Sequence, residues 1–108
     1  MLTADVFRRV VFRRTDVSSW DDLVKLFEVG WEWFGSLDAV LSNAGINEVG
    51  GFLEDTLDPS TGSLQAPNLQ TLNVNLLGQL YTTKLAMHYF GKQSGKRFQL
   101  VLTGSAAW

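Results

Sequence analysis

The sequence predicts an α/β fold, a partial doubly wound parallel sheet of three strands and two helices. Three observations predict it. Short apolar runs occupy residues 10–17, 37–42 and 98–103, the first of them rich in β-branched residues. Stretches of helical period separate them, and each connection is long enough to return the chain for a parallel strand. The composition, with 45% hydrophobic and 19% charged residues in 108, is that of one globular domain rather than a disordered tail, so residues 1–108 are read as a single unit.

The first strand opens on Val10, Val11 and Phe12 and ends at Asp16 and Val17, a pattern suited to a largely buried position. Ser18 and Ser19 then offer capping oxygens, and Asp22 places acid in a first helical turn. In the helix that follows, Trp20, Leu23, Val24, Phe27, Trp31 and Phe34 share one face, while Asp21, Lys25, Glu28 and Glu32 lie elsewhere. Gly35 and Ser36 close it, and residues 37–42 form the second strand around Ala39, Val40 and Leu41.

Residues 43–67, punctuated by glycines and two prolines, read as a long loop, much of it without fixed structure. Residues 68–90 form a long helix with two apolar faces, one through Leu69, Leu72, Leu76 and Leu80, the other through Val74, Leu77, Tyr81 and Leu85. Such a helix is expected to be covered on both sides. Residues 91–96 turn the chain into the third strand, which runs into Gly104 and Ser105.

The net charge of -2 gives no electrostatic reason to expect nucleic acid, and the local cluster Arg8, Arg9, Arg13 and Arg14 reads as a solvated strand edge or end. No cysteine is present, which removes disulfides, thiolate catalysis and cysteine-held metal, and fits a cytoplasmic setting. Neither a leader pattern nor an apolar run of about 18 residues occurs. His88 is the only histidine and has no acid or cysteine cluster beside it, so no metal site is expected. The aromatic set Trp20, Trp31, Trp33 and Phe34 reads as core.

In open parallel sheets, ligands bind beyond the carboxyl ends of the strands. Those ends carry Asp16 and Val17, Asn43, Ala44 and Gly45, and Gly104 and Ser105. Asp16 can accept a hydrogen bond from an exocyclic amine, or serve only as a helix-start acid. Ala44 and Gly45 leave the backbone open to close approach by a flat ligand, and the Asn43 amide can bridge neighbouring strand ends.

With these residues in this order, residues 10–108 resemble the short-chain dehydrogenase/reductase family, whose fold is an NAD(P)-binding, Rossmann-like domain. The resemblance rests on four motifs: Asp16 at the end of the family's third strand, Asn43, Ala44 and Gly45 after its fourth, Asn75 to Gly78 in the following helix, and Ser105 after its fifth. It implies that Asp16, Val17, Asn43, Ala44 and Gly45 bind cofactor, NAD or NADP. It also implies that Ser105 orients a substrate carbonyl and that the Asn75 carbonyl holds a water in a proton path.

The family's glycine-rich turn is expected upstream of Val10, and its catalytic tyrosine and lysine beyond Trp108. Tyr81 and Tyr89 precede the serine and are out of register for that role. The chain is therefore expected to represent the third to fifth strands of an oxidoreductase that interconverts an alcohol and a carbonyl by hydride transfer. Weak or absent cofactor binding and no turnover are expected for these residues alone. The alternatives are a non-catalytic product that binds a partner or is an unstable remnant, and an unrelated α/β nucleotide-binding domain. A small-molecule alcohol or carbonyl is the expected substrate, and the helix at residues 68–90 the expected surface for homo-oligomerisation.

Overall fold

The computed structural model describes residues 9–95 and 97–105. Arg8 of the arginine cluster, Lys96 of the expected turn and the ends of the 1–108 unit lie outside the described residues. The elements run in the order α1 (Trp20–Phe34), β1 (Ala39–Ser42), α2 (Gln70–Leu72), a π-helical turn (Asn73–Leu77), α3 (Gly78–Gly91) and β2 (Gln99–Leu102).

Helix α1 starts where a side chain can satisfy a free backbone donor: Ser19 Oγ accepts from the Asp22 N–H at 3.2 Å. The Asp22 carboxylate reaches back further and accepts from the Asp16 N–H at 3.0 Å, so the cap also fixes the segment leading into it. Gly35 ends the helix in the left-handed conformation, φ 75°, with its N–H on the Trp31 carbonyl. Leu23 and Phe27 are buried, and Val24 and Trp31 partly so. The rest of the aromatic set departs from expectation: Trp20, Trp33 and Phe34 are 41%, 53% and 47% exposed. The buried part of α1 is its inner face through Leu23 and Phe27, with Trp31 tilted on Tyr89 at 5.2 Å between ring centres. Trp20 makes an edge-on ring contact with Tyr81, at 5.3 Å between ring centres, and Phe34 faces a cavity.

The second helical stretch begins under the Asn68 side chain, whose Oδ1 accepts from the Gln70 N–H at 2.9 Å. It is interrupted by the π turn, across which the Gly78 N–H bonds to the Asn73 carbonyl, five residues back. The inner face of α3 buries Thr82, Leu85, Ala86, Tyr89 and Phe90. Of the two apolar faces expected to be covered, the one through Leu69, Leu72, Leu76 and Leu80 is open to solvent in this chain. The loop of residues 43–67 has more structure than expected. It closes on itself through an antiparallel bridge between Leu57 and Leu64, around a turn in which the Asp58 carboxylate accepts from Ser60.

The sheet has two strands, not three. β1 and β2 are parallel, with Ala39 opposite Gln99 and Ser42 opposite Leu102. Residues 10–17 join no ladder, and Val10 and Phe12 are exposed. The physical reason is the strand order of a doubly wound sheet, three-two-one-four-five, which seats this segment beside a strand these residues do not include. Without that neighbour its backbone groups have no ladder partner. Its far end is nonetheless anchored, because Val17 packs on the core.

The sheet is covered on one face. Val40 and Leu100 pack against the cluster of α1 and α3, while Leu41 and Val101, of the opposite parity, are 69% and 48% exposed. At the start of β1 the Gln93 side chain binds Leu37 twice, accepting from its N–H at 3.1 Å and donating to its carbonyl at 2.8 Å. Stacking of Phe90 on Phe98, 4.9 Å between ring centres, joins the end of α3 to the approach to β2.

With a core this small, Leu23, only 2% exposed, is expected to dominate stability. Leu23→Ala should cost about 2–5 kcal/mol and abolish cooperative urea unfolding. Leu53→Ala, at a side chain 94% exposed, should change stability by no more than about 0.5 kcal/mol. Equal effects of the two variants in parallel urea melts would overturn this assignment of the core.

Candidate functional site

Because β1 and β2 are parallel, residues 43–45 and 103–105 leave the sheet along the same edge. Side-chain bonds fix that edge. Thr103 Oγ1 donates to Asn43 Oδ1 at 2.8 Å, tying the two strand ends together. Gln79 Nε2 donates to the Thr103 carbonyl at 2.6 Å, fastening the same point to the first turn of α3.

Asn75, in the π turn, makes the corresponding bond pair to the other strand end. Its Oδ1 accepts from the Ile46 N–H and its Nδ2 donates to the Ile46 carbonyl, both at 2.8 Å. The amide thus acts toward Ile46 as a neighbouring strand would. Gly45 lies against it, since a Cβ there would stand in ordinary contact, 3.4 Å from Asn75 Oδ1. The wider π turn sits at this residue, and such turns often accompany functional positions because they loosen the backbone ladder locally.

Asp16 and Val17 reach the same region from the other side. A Cβ on Gly78 would stand 2.9 Å from Val17 Cγ2 and 3.1 Å from the Val17 carbonyl oxygen, so α3 can approach this closely only through a glycine. Asp16 Oδ1 accepts from the Ser18 N–H at 2.9 Å and from Ser18 Oγ at 2.7 Å. These bonds, the side-chain one foremost, hold the Asp16 carboxyl below its ordinary value. A carboxyl lowered on folding contributes stability above its unfolded pKa and loses it as pH falls through the folded one. At neutral pH Asp16 is a charged acceptor.

The structure therefore brings Asn43, Gly45 and Asn75 together through Ile46 and Thr103, and sets Val17 against Gly78. Ala44 lies between the two anchored residues Asn43 and Gly45, and like them is exposed. Ser105 is exposed two residues beyond Thr103. Sequence reasoning missed Thr103 and Gln79 as anchors. The signal for Gln79 was present, because it lies four residues after Asn75 and so on the same helical face.

Small residues at 44, 45 and 104 leave this edge accessible, and Val17, Asn43 and Ala44 line one end of an apolar cavity. These features suit a flat ring system with hydrogen-bonding edges and offer nothing to a metal: among the described residues no three His, Cys, Asp or Glu side chains cluster to hold one. Tyr89 is a core group, its phenol pushed up by burial and then by Glu28 and Glu32. No helix among the described residues is long and apolar enough to cross a membrane.

A family model described as short chain dehydrogenase matches residues 2–107. The chain is 35% identical over 101 residues to the short-chain dehydrogenase/reductase ascJ of Acremonium egyptiacum, covering 92% of this chain and 34% of that one. It is 38% identical over 95 residues to the short-chain dehydrogenase/reductase prx4 of Penicillium rubens, covering 88% and 27%. Among solved structures, a short-chain dehydrogenase/reductase described as glucose/ribitol dehydrogenase, from Brucella melitensis, superposes with a TM-score of 0.58 at 28% identity, over 76% of this chain and 31% of that one. The chain spans about a third of the length of these relatives.

The clamp on Ile46 yields a direct expectation. Asn75→Ala should leave the exposed Ile46 N–H and carbonyl without protein partners, a loss of about 1 kcal/mol of local stability for each bond. The Ile46 amide should then exchange much faster in hydrogen-exchange NMR, while the Leu85 amide inside α3 changes little. Unchanged exchange at Ile46 would contradict the clamp.

Proposed function

Given that this chain belongs to the short-chain dehydrogenase/reductase family, we propose that it forms the central part of an NAD(P)-dependent oxidoreductase that interconverts an alcohol and a carbonyl. The observation that carries this reading is the joint anchoring of the two strand ends: Asn43 and Thr103 bonded to each other, with Asn75 holding the backbone just beyond Gly45.

In this reading Asp16 accepts from an exocyclic amine of the cofactor's adenine, and the Val17 backbone meets the adjacent ring nitrogen. Asn43, Ala44 and Gly45 form the surface against which the cofactor lies, with no bulky side chain to hold it off. The nicotinamide cofactor, when bound, supplies or takes the hydride. Ser105 donates a hydrogen bond to the substrate carbonyl oxygen and orients it. Asn75 keeps its side chain on Ile46, which leaves its own carbonyl to hold a water on the proton path. The proposed setting is the cytoplasm.

The second part of the proposal is self-association through the uncovered face of the second helical stretch. Leu69, Leu72, Leu76 and Leu80 are about half exposed there, and Met87 continues the stripe at 60%. Apolar side chains aligned over this length mark a protein contact.

The catalytic roles are tested in an enzyme that carries residues 10–105 in place of the corresponding stretch of the Acremonium egyptiacum relative. Ser105→Ala should lower kcat by about two to three orders of magnitude with a smaller change in KM. Turnover equal to that of the unsubstituted chimera would overturn the assignment. Self-association is read separately by sedimentation of the 108-residue chain. The expected result is a dimer or larger species that Leu76→Lys converts to monomer, and a chain monomeric at every concentration would contradict it.

A further inference from the structure

The loop of residues 43–67 and the start of the second helical stretch enclose a second cavity, of ≈ 490 Å³, that shares no lining residue with the one beside β1. One wall is the chain from Glu48 to Thr56, and the other runs from Leu64 to Leu72. The walls are joined at both ends. The Gln65 N–H donates to the Thr56 carbonyl at 2.8 Å, next to the bridge between Leu57 and Leu64. Thr71 Oγ1 donates to the Asn47 carbonyl at 3.1 Å and fastens the start of the loop to the helical stretch.

The lining combines two chemistries. Val49, Phe52, Leu64, Pro67, Leu69 and Leu72 supply apolar surface, and Glu48, Glu54 and Asp55 supply negative charge. No lysine, arginine or histidine occurs between Lys25 and Lys84, so neither wall carries a cation to neutralise those acids. Glu48 is used by the loop itself, its Oε1 accepting from the Phe52 N–H at 3.2 Å. Glu54 folds back over Gly51, part of the same lining, where a Cβ would stand 2.8 Å from Glu54 Cδ. Among the described residues the side chains of Glu54 and Asp55 have no hydrogen-bond or ion-pair partner.

These features select the occupant. The volume falls in the range of small-molecule sites. An anion meets uncompensated carboxylates, and a neutral apolar molecule covers the leucines while leaving the charges without a partner. A protonated amine on an apolar body satisfies both, its ammonium donating charge-assisted hydrogen bonds to carboxylate oxygens while its body covers Phe52, Leu64 and Leu72. We propose that this cavity is a binding site for an organic cation, an aromatic or alicyclic amine held by Glu54 and Asp55. The site is separate from the strand ends that carry the catalytic reading, and its test involves no turnover.

The probes are naphthylethylamine, its neutral isostere naphthylethanol and the anion naphthylacetate. Each is titrated against the 108-residue chain at low salt with the amides of Phe52, Leu64 and Leu72 followed by NMR. The amine should bind about tenfold more tightly than the alcohol, and naphthylacetate more weakly than either. Added salt should weaken the amine and spare the alcohol. Glu54→Gln combined with Asp55→Asn, both at exposed side chains, should bring the amine to the affinity of the alcohol and leave the alcohol unchanged. The same loss of charge on α1, Glu28→Gln with Glu32→Gln, should alter neither, and Phe52→Ala should weaken both. Leu69 and Leu72 also belong to the stripe proposed for self-association, so the titration is repeated in Leu76→Lys, where equal affinities are expected. Three results would overturn the proposal. They are equal affinity for amine and alcohol, an amine affinity that survives the Glu54→Gln and Asp55→Asn pair, and binding that appears only in Leu76→Lys, which would make a second copy of the chain the occupant.

Discussion

Two side-chain amides, Asn75 in the π turn and Gln93 just past the end of α3, hold the backbone on either side of β1, and the placement of the site depends on them. Gln93 binds both backbone groups of Leu37, and Asn75 binds both backbone groups of Ile46. The helical stretch between the two amides is thereby tied to the chain before the first residue of β1 and after its last. Neutral amide bonds contribute only about 1 kcal/mol each. Paired at fixed ends, they set position more than they add stability.

Everything chemically suggestive sits at the end held by Asn75. There the helix widens into a π turn, Gly78 admits Val17, and Thr103 joins β2 to Asn43. The opposite end, held by Gln93, is apolar, with Phe90 stacked on Phe98. This division follows from a parallel sheet, which places all its carboxyl ends on one side. The core covers one sheet face only, because among the described residues α1 and α3 pack on the same side, and Leu41 and Val101 are left bare on the other.

Much of this was legible in the sequence. Capping residues and periodicity placed α1 and its glycine stop, and both strands of the ladder fell inside the predicted runs. Asn75, Gly78 and the small residues after β1 stood out by their order. The segment at residues 10–17 was misread as a strand because its apolar, β-branched pattern states only that it can pair. Pairing is a property of two segments, and its neighbour in the strand order is not among these residues. The exposed ends of the α1 stripe have the same origin, since helical spacing identifies a face but not how much of it a partner covers. The clamps themselves were invisible, because Leu37 and Gln93 lie 56 residues apart and Ile46 and Asn75 lie 29 apart. No local pattern encodes such a distance.

The central claim is that two amides fix β1 and thereby assemble the site, and it is tested most directly by through-hydrogen-bond scalar couplings in the isotopically labelled chain. The account predicts a coupling from the Leu37 nitrogen to the Gln93 side-chain carbonyl carbon and one from the Ile46 nitrogen to that of Asn75. Both should appear beside the ladder couplings from Gln99 to Asp38 and from Thr103 to Ser42. Ladder couplings present while Leu37 and Ile46 couple to no side-chain carbonyl would contradict it.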